Sequence, residues 1–178
     1  MKIINTFVPC LYAFKYDGNS SDELERVFDQ WTDAMFLNDF FEENEQDITI
    51  SIEDAISKVS SEAIFLRKRL IELANNTPNQ LNQLFKNLDN NETTTKELSR
   101  QKAPNRWLRL YAIYVDENNY VITGGTIKLD DGAIAHNHHY RMQDRPHTNN
   151  ELSKINQCRD YLRDEGVIDN DSFQEIFF

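Results

Sequence analysis

The chain has 178 residues, a formal net charge of −11, 39% hydrophobic and 28% charged residues, and eleven Phe and seven Tyr. That profile excludes a disordered chain and a non-specific polyanion binder, and fits one domain spanning residues 1–178 around a sizeable core. No apolar run approaches the ~20 residues of a bilayer span, so no membrane partner is expected.

The charge is unevenly placed. Residues 1–90 hold sixteen acids and eight bases, whereas residues 91–148 hold seven acids, eight bases and all four histidines. Any contact with nucleic acid therefore falls to the middle segment. Cys10 and Cys158 are too few and too distant for a metal or disulfide framework, which points to a reducing, cytoplasmic setting.

The opening "MKIINTFVPCLYAF" is broken by Asn5, Thr6 and Pro9 and lacks a small-residue cleavage pattern. It reads as the start of a strand over residues 2–16, ending at the Asp17-Gly18 turn, and not as a signal peptide. Ser20 and Glu23 form a helix-start box. Leu24, Val27, Phe28, Trp31 and Met35, then Leu37, Phe40 and Phe41, predict one long or two short helices over roughly 22–45.

Ser51 caps the clearest helix, whose Ile52, Ile56, Val59, Ala63, Leu66, Leu70 and Leu73 recur at 4-3-4-3 spacing. That stripe is either a core face or a coiled-coil seam joining two copies, and three heptads without further repeats favour the core. Thr77-Pro78 predicts a further short helix carrying Leu81, Leu84, Phe85 and Leu88. The polar stretch that follows, through Asn105, reads as a passage from the acidic helical half, residues 1–90, to the rest of the chain, residues 91–178.

"RWLRLYAIYVDENNYVITGGTIKL" predicts a β-hairpin with strands over 106–115 and 120–129. Alternation puts Trp107, Arg109, Tyr111 and Ile113 on one face and Leu108, Leu110, Ala112 and Tyr114 on the other. Gly124-Gly125 inside the second strand signals a bulge or a close approach by another backbone. Thr148 and Glu151 form another capping box, for a helix carrying Leu152, Ile155, Cys158 and Leu162 and ended by Gly166. A last amphipathic turn would dock Phe173, Ile176 and Phe177. Asp169, Asn170 and Asp171 lack the glycine and closing glutamate of a calcium loop.

Strands and helices are segregated along the chain. The fold class is therefore α+β, with a small antiparallel β-sheet packed against several α-helices.

The histidines His136, His138, His139 and His147 all fall within "AHNHHYRMQDRPH". Three readings stay open. The first is a polar connection between hairpin and helix. The second is an acid–base and phosphate-binding edge flanked by Arg141 and Arg145. The third is a metal site in which His136 and His138 are joined by Asp130, Asp131 or Asp144, although nothing fixes those carboxylates in space. No cofactor is expected.

The segment "LSRQKAPNRWLRLYAIYVDENNYVITGGTIKL…RPHTNNELSKINQCRDYL", about residues 98–163, resembles the core of RelE/HigB-type toxins, the ribosome-associated mRNA interferases. The likeness is one of order and spacing. It implies a β-α-α-β-β-β order, here with an enlarged helical part, and a metal-independent endoribonuclease of a toxin–antitoxin or phage-related system.

In that reaction the ribose 2′-hydroxyl attacks the adjacent phosphate. The resemblance implies Arg109 and Lys128 as the cationic pair, Tyr111, His138 and His139 as acid or base candidates, and Arg106, Arg141, Arg145 and His147 as substrate contacts. It also implies mRNA on the ribosome and an antitoxin as partners.

This chain departs from the family in its acidity, its long leading half and "IKLDD", where Asp130 and Asp131 sit beside Lys128, one residue further on. A non-enzymatic protein-interaction or regulatory module, a homodimer among its forms, is the alternative.

Overall fold

The strand expected over residues 2–16 is split by its own polar residues. In a computed structural model, which describes residues 1–88, 98–116, 119–129 and 144–178, the Thr6 hydroxyl accepts from the Val8 N–H and donates to the Leu11 carbonyl. Cys10 takes a left-handed φ of 60°. This local turn folds Lys2–Asn5 (β1) back against Leu11–Lys15 (β2) as an antiparallel pair.

Glu23–Thr32 (α1) and Ala34–Glu43 (α2) are two short helices joined at Asp33. Asp22, not Ser20, caps α1, accepting from the Leu24 and Glu25 N–H groups, and Asp33 caps α2 in the same way. Ile52–Ala74 (α3) starts at Ser51 as expected. Its stripe faces inward: Val59, Ala63, Leu66, Leu70 and Leu73 are buried, with Ile52 and Ile56 packed beside them. The core reading holds, and the stripe offers no seam to a second copy.

In place of the short helix expected after Pro78, a single 3-10 turn at Leu81–Gln83 leads into Lys86–Asn87 (β3). The predicted polar passage hides a strand, Arg100–Asn105 (β4). The hairpin forms as expected from Leu108–Tyr114 (β5) and Tyr120–Ile127 (β6), with α4 (Pro146–Asp164) and α5 (Asn170–Phe177) closing the chain.

The α4 start differs from the predicted box. Pro146 occupies the first turn, Arg145 flanks it with no side-chain cap, and the Thr148 hydroxyl donates back to the Arg145 carbonyl. Proline needs no N–H partner in the first turn, so it can open a helix two residues before the serine- or threonine-type signal. Gly166 ends α4 at φ 87°, and Asp169 caps α5 in a reciprocal box with Ser172.

The α+β class stands. The sheet order is β1-β2-β6-β5-β4-β3, antiparallel throughout except that β2 and β6 run parallel, so the sheet is mixed where an antiparallel one was expected. The parallel seam arises because β2 and β6 are joined through α1–α3 and the rest of the sheet, a connection long enough to return in the same direction.

Each sheet face has its own core. One gathers α1, α2 and α3 over Leu108, Leu110, Ala112 and Ile122; the other gathers α4 and α5 over Phe14, Tyr111, Ile113 and Val121. Trp107 joins the first group and not the Arg109 face, because Arg106 turns the chain at φ 51° just before β5.

A bulge does form, at Thr123 just before the glycine pair, where the register slips between Tyr111↔Gly124 and Ala112↔Ile122; Gly124 and Gly125 themselves stay in regular pairing. The close approach is by side chains at both glycines and also by a neighbouring backbone at Gly125. A Cβ on Gly124 would lie 2.1 Å from Glu151 Oε2, and one on Gly125 would lie 2.9 Å from the Trp31 ring and 3.0 Å from the Arg109 carbonyl oxygen. Gly125→Ala is expected to cost about 1–3 kcal/mol by overpacking. A lower urea midpoint at unchanged slope would report it.

Candidate functional site at the end of β6

β2 leaves the sheet before β6 does. Its last pairing with β6 is Ala13↔Ile122, so β6 from Thr123 to Ile127 has no strand on that side among the described residues. Side chains close this edge. The Tyr16 hydroxyl donates to the Thr123 carbonyl at 3.0 Å, and His147, in the first turn of α4, sits 3.0 Å from the Ile127 carbonyl through Nε2. A carbonyl only accepts, so Nε2 carries the proton and Nδ1 is left as the acceptor. Burial lowers the His147 pKa, and the nearby Arg145 charge acts in the same direction. The ring is therefore neutral near pH 7.

Beside this edge α1 and α4 share a buried charge network. Glu23 accepts from Arg26 Nε at 2.8 Å and Nη2 at 2.7 Å, and from Lys154 at 2.8 Å. Lys154 also donates to Glu151 Oε1 at 3.0 Å, and Arg26 Nη1 donates to Gln30 at 2.6 Å. Glu151 Oε2 is buried over Gly124 with no hydrogen-bond partner. Burial raises the Glu151 pKa, against the attraction of Lys154 and Arg26.

Below the network the Tyr16 hydroxyl lies 3.0 Å from Cys158 Sγ. Since its own hydrogen serves Thr123, the thiol is the donor. Burial pushes that thiol up to about 12, so Cys158 is a packing group and not a nucleophile.

The network opens into a cleft of about 200 Å³, walled by Trp31, Phe36 and Phe40 and edged by Arg26, His147 and Glu151. Among these groups His147 Nδ1 is the proton acceptor, while Arg26 is held by Glu23 and Gln30 and Glu151 by Lys154.

A second cleft of about 280 Å³ lies at the β4–β5 turn, lined by Lys58, Ser61, Glu62, Phe65, Asn105 and Arg106. Glu62 accepts from the Trp107 N–H at 3.2 Å, and Lys58 Nζ stands 3.4 Å over the Trp107 ring centroid. Burial raises the Glu62 pKa, with Lys58, Arg106 and Arg109 opposing it.

The register decides which predicted residues meet. Leu108↔Ile127 and Arg109↔Thr126 place Arg106, Arg109 and Lys128 at one end of the sheet, where the Lys128 N–H donates to the Trp107 carbonyl at 2.7 Å. Arg145 and His147 return to that end, Arg145 ion-paired with the buried Asp47. The Arg109 guanidinium donates to the carbonyls of Arg106 and Leu108.

Tyr111 does not join them. It is 1% exposed within the core beneath α4, which removes it from any surface chemistry. His136, His138, His139 and Arg141 lie outside the described residues. Glu23, Arg26, Glu151, Lys154 and Tyr16 were not singled out from the sequence as site residues; the double glycine was the one local signal of something pressed against β6.

No helix of the described structure is long and apolar enough to cross a membrane. Comparison with family models, curated proteins and solved structures finds no match, so the side chains themselves carry the functional argument.

Two measurements check this geometry. Lys154→Met leaves the Glu23 and Glu151 carboxylates without their shared cation and is expected to cost about 2–4 kcal/mol, whereas Glu151→Gln keeps the acceptor and stays within about 1 kcal/mol of the parent. For His147 the folded pKa lies below its ordinary 6.5. Its contribution to stability is therefore complete above that value and lost as pH falls through the folded pKa. His147→Gln is expected to flatten the stability profile between pH 7 and 5 in denaturant titrations.

Proposed function

We propose that the chain is a RelE/HigB-type, RNA-directed protein whose working surface is the end of the sheet where β5 begins and β6 stops. One observation carries this reading: the β5–β6 register gathers Arg106, Arg109 and Lys128, and the chain returns Arg145 and His147 to the same end. In a protein of net charge −11, a local gathering of cations is what phosphate contact needs.

The reaction implied is transesterification within RNA. The 2′-oxygen forms a bond to the adjacent phosphorus as its proton passes to an imidazole, the P–O5′ bond breaks, and the leaving oxygen takes up a proton. The products are a 2′,3′-cyclic phosphate and a 5′-hydroxyl. His147 Nδ1 supports the proton-accepting role, together with His138 and His139 from the implied set. Arg109 and Lys128 offset charge on the phosphorane. Tyr111 takes no part.

The competing reading, an interaction module that does not cleave RNA, draws support from Ile64 and Phe65, which are 64% and 61% exposed on the outer face of α3.

Induction of the wild-type chain in cells is expected to slow growth and fragment mRNA, and Arg109→Ala/Lys128→Ala to weaken both at least tenfold. Intact mRNA and equal growth with both proteins would remove the RNA reading and leave the interaction module.

A further inference from the structure

Among the described residues no element packs on the outward face of α3, yet it carries large apolar side chains. Ile64, Phe65 and Ile71 are exposed opposite the buried stripe, and Phe7 is 43% exposed next to it with the Arg67 guanidinium 4.6 Å over its ring. Scattered single apolar residues on a surface need no explanation, but Ile64 and Ile71 aligned two turns apart, with Phe65 on the next flank beside a cleft, do. The cleft at the β4–β5 turn adjoins this face at Phe65, which forms one of its walls. At about 280 Å³ it falls just below the roughly 300–1,000 Å³ of small-molecule pockets, so it suits one inserted side chain better than a metabolite.

The charge around this face is opposite to that of the chain. Arg67, Lys68 and Arg69 follow Phe65 after Leu66, Lys58 lies two turns before it, and Arg106 closes the far side of the cleft. Their acidic neighbours are Glu72, paired with Arg69 at 3.1 Å, Glu62, turned inward to the Trp107 N–H, and the exposed Glu53 and Asp54 of the first turn of α3, at the far end from Arg67 and Lys68.

We propose that the α3 face and its adjoining cleft bind an acidic amphipathic helix of another protein. One apolar residue of that helix enters the cleft, its apolar stripe covers Ile64, Phe65 and Ile71, and its flanking carboxylates meet Lys58, Arg67 and Lys68. Aliphatic side chains at the centre favour protein over RNA, since isoleucine offers no stacking surface to a base. This inference meets the RNA reading only at Arg106, which edges the cleft; the rest of the contact lies on the outer face of α3.

The test is fluorescence anisotropy of the full chain with a labelled 16-residue peptide of Glu, Ala and Leu, the leucines at i, i+3, i+4 and i+7 spacing. A scrambled peptide of equal composition serves as control. Binding to the patterned peptide is expected to be at least tenfold tighter than to the scrambled one. Ile64→Ser/Phe65→Ser, both exposed and therefore compatible with folding by circular dichroism, is expected to lose at least tenfold, and Lys68→Glu to lose about fivefold and most of the salt dependence.

Equal affinity for both peptides, or unchanged affinity in a folded Ile64→Ser/Phe65→Ser variant, would overturn the proposal. A wild-type dimer in sedimentation that the same double variant abolishes would assign the face to a second copy and also overturn it. So would tighter binding of a uridine 12-mer that competes with the peptide.

Discussion

Two adjacent glycines in β6 set how closely helices can approach the sheet from both sides. With no Cβ at Gly124, the Glu151 carboxylate of α4 rests on bare backbone; with none at Gly125, the Trp31 ring of α1 does the same on the opposite face. Any other residue would hold these helices off by the thickness of a side chain. As consecutive residues of one strand the two glycines face opposite sides of the sheet, so each approach belongs to a different core.

That closeness lets charge cross between the layers. Glu23 of α1 and Glu151 of α4 are both largely buried, and neither would be tolerated alone, since an unpaired buried carboxylate costs several kcal/mol. Lys154 bridges them, and Arg26 holds Glu23 in a two-pronged grip. Such networks add little net stability over an apolar core, but they admit one arrangement of their parts and reject near neighbours. Here the arrangement fixes the start of α4 relative to α1, and with it the cleft edged by His147. The gap they frame exists because β2 is shorter than β6. Each closing side chain, Tyr16 and His147, serves a carbonyl that a longer β2 would have served.

The helices were legible because burial leaves a period in the sequence. The α3 stripe from Ile52 to Leu73, the apolar faces of α1 and α2, and Gly166 after α4 are all local features with local causes. Helix starts were less legible: Ser20 and Asp22, or Pro146 and Thr148, offer similar capping energies two residues apart, and packing chooses between them. β4 was missed because "RQKAPN" has the composition of a loop, and it is a strand only because β5 lies next to it. Of the proposed site, Arg106, Arg109, Lys128, Arg145 and His147 were visible as residue types. The burial of Tyr111 was not, since alternation tells which residues share a face but not which face is covered.

The sequence by itself determined the α+β class, the inward face of α3, the β5–β6 hairpin and a close approach at Gly124-Gly125, because these follow from periodicity and from backbone chemistry within a few residues. Only the tertiary structure decided the parallel β2–β6 seam, the pairing of Glu23 with Lys154 across 131 positions, and the closing of the β6 edge by Tyr16 and His147. Those depend on which distant segments share a strand edge, and pairwise charge and hydrogen-bond energies have no local signature in the chain that carries them.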